Sequence, residues 1–239
     1  MRWRLSTRCL LFLFAVMSAH SETWTDALAN MPLGDRVTEL TRSNCVPVML
    51  QAFRPNAAIK VLIFMPGATD EFYFFRRASA RLPDSTQTPS LLDAVSALTN
   101  QTFIRATFQP PFLLLHTSED PLEPSFQIKH RDTFDRLQKK SFVKPFVWND
   151  RDWDYVHPLL SFYLNMRIVP GKFSSHTTHF FRHSMAGANL TGLEALQAVS
   201  LANKTRFTIE KKRMVFEGDE RFPSKPSVPT NWWALPHAP

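Results

Sequence analysis

The sequence predicts an α+β fold built as two related units, in which helices pack on small mixed sheets and each unit ends in a helix followed by a β-hairpin. Three observations predict it. A hydroxyl residue stands three positions ahead of an acid at both Ser90–Asp93 and Thr191–Glu194, the signature of a capped helix start. The apolar period changes from helical to two just after each of those helices. Behind each change, two short apolar strands flank a turn.

Taken in order, residues 1–21 read as a secretory signal peptide. Arg2, Arg4 and Arg8 precede the unbroken apolar run Cys9 to Met17, and Ala19 and Ser21 supply the small side chains before cleavage ahead of Glu22. That run is about half of the ~20 residues that span a bilayer, and no other stretch approaches that length. The mature chain is therefore expected to be exported, periplasmic or extracellular, with no transmembrane segment. The chain carries 28 Lys and Arg against 21 Asp and Glu, and three of the arginines lie in the leader, so the mature product is only about +4. The one compact basic run, Lys211-Lys212-Arg213, lies in what reads as a hairpin. Nucleic-acid binding, which needs clustered positive charge, is not expected. Cys45 is the sole mature cysteine, so no intramolecular disulfide can form.

The first unit, residues 22–118, opens with a helix capped by Asp35 in which Leu33, Val37 and Leu40 share a face. Val46 to Leu50 reads as a buried strand, and apolar runs follow at 59–65 and 72–75. Ser90 starts a helix whose Leu91, Leu92, Val95 and Leu98 give one buried face, and the turn at Asn100 ends it. Ile104, Ala106 and Phe108 then alternate with Arg105 and Thr107, and Phe112 to Leu115 closes the hairpin beyond Gln109-Pro110-Pro111. Residues 119–125 are the linker. The second unit, residues 126–218, carries a strand at 142–147, a helix from Tyr155 to Leu164 capped by Asp154, and strands at 166–169 and 178–183. Pro158 is tolerable in that helix only in its first turn. At an offset of 101 residues from Ser90, Thr191 repeats the capped helix, and Ala195 and Ala198 match Ala94 and Ala97. Asn203 ends the helix, Phe207 and Ile209 alternate with Arg206 and Thr208, and Met214 to Phe216 closes the second hairpin. Residues 219–239 hold five prolines and the pair Trp232-Trp233, an irregular tail whose tryptophans could meet a partner.

From Tyr155 to Gly218 the order is helix, strand, strand, helix, strand, strand, with Asn189-Leu-Thr-Gly-Leu-Glu-Ala-Leu-Gln-Ala-Val199 followed by Thr205-Arg-Phe-Thr-Ile-Glu210 and Arg213-Met-Val-Phe-Glu217. This pattern resembles the short N-terminal (STN-like) module of secretins and TonB-dependent receptors. Residues 33–117 resemble it less closely, through Asp35-Arg-Val-Thr-Glu-Leu40 and Asn44-Cys-Val-Pro-Val48. The glycine usual at the first helix-to-strand turn is replaced by Asn44-Cys45 in one half and by Asn165 in the other. The resemblance implies a small α/β module that docks periplasmic partners or peptides through sheet edges or helix faces, without catalysis.

Candidate chemistry is sparse. His176, His179 and His183 are three possible zinc ligands within eight residues, yet on a strand His179 and His183 face one way and His176 the other. Asp150, Asp152 and Asp154 alternate as at the start of a calcium loop, but the glycine and glutamate such a loop needs are Tyr155 and Ser161 here. No Gly-x-Ser-x-Gly elbow exists, and Cys45, beside Val46 and Val48, reads as a small core residue. Arg105 and Arg206 occupy equivalent strand positions opposite the apolar face, where they could make paired contacts to an anion. The expected function is an exported, non-enzymatic interaction or assembly module of the cell envelope with a protein or peptide partner and no cofactor. A binder of a small anionic ligand at Arg105 and Arg206 is the first alternative, and an exported metal-dependent hydrolase the second.

Overall fold

The computed structural model describes residues 24–34, 37–41, 43–65, 79–84, 87–116, 120–139, 141–142, 144–171 and 182–221. Helices and mixed sheets make up an α+β protein. Residues 24–29 are helical, and the further helices among the described residues are α1 (Cys45–Ala52), α2 (Leu91–Gln101), α3 (Arg131–Lys139), α4 (Trp153–Leu164) and α5 (Gly192–Ala202). The strands that build its two larger sheets are β2 (Val61–Phe64), β4 (Arg105–Gln109), β5 (Phe112–His116), β6 (Ser125–Ile128), β8 (Phe146–Asp152), β9 (Arg167–Pro170), β10 (Arg182–Gly187), β12 (Thr205–Ile209) and β13 (Arg213–Gly218). Two two-residue pairs flank them: β1 (Glu39–Leu40) with β3 (Ala80–Arg81), and β7 (Ser141–Phe142) with β11 (Leu190–Thr191).

The larger sheet runs β4-β5-β2-β10-β8, parallel only between β2 and β5. Every residue of β2 and β5 is buried, as expected of central strands covered on both faces. Leu62, Phe64, Leu113 and Leu115 point into a cluster with α1 and α2. Val61, Ile63, Phe112 and Leu114 point the other way, into a cluster with α4, α5 and the inner face of the second sheet. That second sheet runs β6-β12-β13-β9. Its β12 alternates buried and half-buried residues, with Phe207 and Ile209 inward and Arg206 and Thr208 outward.

Helix α5 is the centre of the molecule. It touches β2 and β10 on one side and β12 on the other, and every residue except Glu194 and Gln197 is buried. A helix apolar all round belongs inside a structure. Its first residue must be small: a Cβ on Gly192 would lie 2.9 Å from a Leu164 methyl and 3.0 Å from a Leu137 methyl.

The five-stranded sheet takes β2, β4 and β5 from residues 22–118 and β8 and β10 from residues 126–218. The two stretches meet where β10 runs antiparallel to β2, so they share a sheet and the core beside it. Lys60 reinforces the seam by reaching both oxygens of Glu194, at 3.0 and 3.1 Å. The connection between the two stretches is anchored at Asp120, which forms a buried ion pair with Lys204 at 3.1 Å.

Both capping boxes form. Asp93 N–H donates to Ser90 Oγ while Asp93 accepts from Ser90 N–H at 2.8 Å, and Thr191 and Glu194 repeat the exchange. Several local expectations are corrected. Residues 45–52 form a helix where a strand was expected, because Cys45, Met49, Leu50 and Ala52 are buried together on a helical face. Residues 39–40 are a strand, although Leu33, Val37 and Leu40 share helical spacing. Asp152, not Asp154, caps α4, accepting from Tyr155 N–H at 2.9 Å. The earlier cap places Pro158 in the second helical turn. The apolar run at 72–75 and most of the strand expected at 178–183 lie outside the described residues.

Candidate functional site

Two environments stand out, one sealed and one open. The sealed one surrounds His183, which β10 carries into the core with no solvent exposure. The Arg151 carbonyl can only accept, so His183 Nδ1 carries the proton and donates to it at 3.0 Å. Nε2 is then left to accept from Asn203 Nδ2 at the C-terminus of α5. The Trp153 ring stacks on the imidazole at a centroid distance of 6.3 Å, and Trp148 meets it edge-on at 6.2 Å. Burial disfavours the cation and lowers the His183 pKa from 6.5 to about 4, against the smaller opposing pull of the Arg151 carbonyl and Asp152. Within this network both ring nitrogens are used inside the protein. His176 and His179 lie outside the described residues, and among the described residues no three His, Cys, Asp or Glu side chains gather as a metal site would.

Asn203 is equally enclosed, with 1 % of its surface exposed. Cys45 is fully buried and free, and desolvation pushes its thiol up to about 12. A thiol held protonated in the core is a packing group rather than a nucleophile.

The structure does not bring Arg105 and Arg206 together. Arg105 is exposed on β4, at the end of the five-stranded sheet and opposite His116. Arg206 stands on the outer face of the other sheet, where Glu217, its partner across β12 and β13, accepts from it at 3.1 Å. Trp232 and Trp233 lie outside the described residues.

The open environment is the outward face of α4. Val156, Leu160 and Leu164 fill the core, as helical spacing requires. The opposite face carries Tyr155, 45 % exposed, then exposed Pro158, then Phe162, 79 % exposed. These positions are spaced three and four residues apart, so they form one stripe. Arg151 lies over the Tyr155 ring at 4.8 Å, and Tyr163 meets Phe162 edge-on at 5.4 Å. No role for this face was expected from the sequence. Its signal was present, because Trp153 to Leu164 is apolar on two sides of the helix rather than one.

Pro158 inside a helix costs about 3 kcal/mol relative to alanine. At an exposed position it recovers none of that through core packing. A large aromatic beside it likewise contributes little to the core. Comparison with protein-family models, with curated proteins and with solved structures finds no match.

Proposed function

We propose that this chain is an exported, non-enzymatic interaction or assembly module of the cell envelope, docking a protein or peptide partner on the outward face of α4. The observation that carries the reading is the stripe Tyr155, Pro158 and Phe162, apolar and exposed on a helix whose other side, Trp153, Val156, Leu160 and Leu164, is buried. Exposed apolar surface without a packing role marks interaction sites, and an aromatic presented on a rigid helix loses little entropy on binding. Export rests on the leader-like residues 1–21. Two related units, residues 22–118 and 126–218, and the STN-like resemblance of the second rest on the paired capped helices and the hairpins behind them.

The test is affinity capture from a native envelope extract with the exported chain as bait, beside Phe162→Ser and Tyr155→Ser. The reading expects a partner held by the wild type and lost from both variants while their melting temperatures stay unchanged. Equal capture by all three chains would reject the α4 face as the docking surface.

A further inference from the structure

A second surface, independent of the α4 stripe, carries charge rather than apolar area. Where the C-terminus of α4 meets the tip of the β12–β13 hairpin, a cleft of about 520 Å³ is lined by Arg136, Arg167, Lys211 and Lys212, together with Ser161 and Asn165. The four cations come from α3, β9 and the hairpin turn, so the fold gathers side chains that the sequence scatters. No carboxylate lines the cleft, and among the described residues none of the four forms an ion pair. Carboxylates close by in sequence are engaged elsewhere. Glu210 is held by Lys129 at 3.7 Å and by Arg213, and Asp135 by Arg131 at 3.1 Å. Arg136 also borders a neighbouring hollow that contains Asp132 and Asp135, so Arg167, Lys211 and Lys212 are the undivided part of the cluster.

The backbone under these side chains is fixed on both flanks. Thr133 Oγ1 donates to the Lys211 carbonyl at 3.2 Å, tying the turn to α3, and Arg167 N–H donates to the Lys212 carbonyl at 3.2 Å, tying it to β9. Ser161 Oγ accepts from Ile168 N–H at 3.2 Å, which leaves its own hydroxyl proton to donate. Four like charges held around one hollow repel one another, and the repulsion is relieved by a compact anion of two or more charges. Guanidinium groups suit the paired oxygens of phosphate. We infer that this cleft binds a compact phosphate-type polyanion, either free or as the headgroup of an anionic lipid.

The experiment titrates the exported chain, in phosphate-free low-salt buffer, with inorganic pyrophosphate. A parallel arm uses vesicles of phosphatidylcholine alone or mixed equally with phosphatidic acid, whose phosphomonoester headgroup can carry two charges. Lys211→Gln/Lys212→Gln and Arg136→Gln/Arg167→Gln are compared with the wild type, with Lys144→Gln as an exposed control away from the cleft. All the substituted side chains are exposed, so folding should survive, and circular dichroism checks it. The inference expects wild-type binding that weakens with salt, and a loss of about tenfold or more in each double variant. Lys144→Gln should bind as the wild type does. Binding of pyrophosphate assigns a free ligand, and binding of the anionic vesicles alone assigns a headgroup. Unchanged affinity in both double variants, or no wild-type binding in either arm, would overturn it. Because α4-face variants keep these four cations, loss of partner capture in Phe162→Ser leaves this titration unaffected.

Discussion

The helix and hairpin at 91–116 and those at 192–218 are written in the same local code, yet they meet different fates. Both helices start with a completed capping box, and both lead into an antiparallel pair of strands. α2 covers one face of a sheet, and its hairpin places β4 at the sheet's end. α5 is sandwiched between two sheets, and its hairpin sits in the middle of the second one. The ends differ in the same sense. Thr102 finishes α2 by donating its hydroxyl to the Leu98 carbonyl, whereas Asn203 finishes α5 with its side chain buried against His183. Local sequence decides which element forms, and the neighbours decide how much stability hangs on it.

The comparison predicts that the polar groups around the end of α5 matter far more than those around α2. Lys204→Ala removes one partner of the buried Asp120–Lys204 ion pair, and should cost about 3–5 kcal/mol by urea unfolding. A cost within about 0.5 kcal/mol would show that the end of α5 is as tolerant as the end of α2.

His183 sharpens the same contrast through pH. Its folded pKa, about 4, lies below the ordinary 6.5, so the unfolded chain takes up the proton first as the pH falls. The stability it lends is complete above pH 6.5 and is lost as the pH drops towards 4, on the order of 3 kcal/mol in all. His183→Gln should flatten that part of the stability profile, and an unchanged slope would place the proton uptake elsewhere.

The caps give a smaller effect. Ser90→Ala and Thr191→Ala should each cost about 1 kcal/mol. Glu194→Ala should exceed Asp93→Ala by up to about 1 kcal/mol, because Glu194 also holds Lys60 across the seam. A Lys60→Met background should erase that difference. Smallest of all is Phe162→Ser, which should change stability by no more than about 0.5 kcal/mol.

What was legible in the sequence was the local code. The capped helices, the period changes and the hairpins could be read directly because each is decided within a few residues. A strand was expected where α1 forms because Val46 to Leu50 is a short apolar run, which periodicity alone does not assign to strand or helix. β6 and α3 escaped notice for the opposite reason, since Phe134 and Leu137 are the only large apolar side chains that α3 buries. The pairing of β2 with β10 joins residues more than a hundred positions apart, and no local signal announces it. The candidate sites fared likewise. His183 attracted attention as a residue type, but its role follows from burial and from Asn203. The α4 stripe and the basic cleft depend on which faces the fold leaves open.

The most direct test of the α4 face as a docking surface is a photoreactive amino acid at position 162, activated in intact cells that produce the chain. A parallel chain carries it at Gln127, an exposed position on β6. The account predicts a discrete covalent adduct with a second protein from position 162 and none of comparable yield from position 127. Equal yields at the two positions, or no adduct at 162, would contradict it.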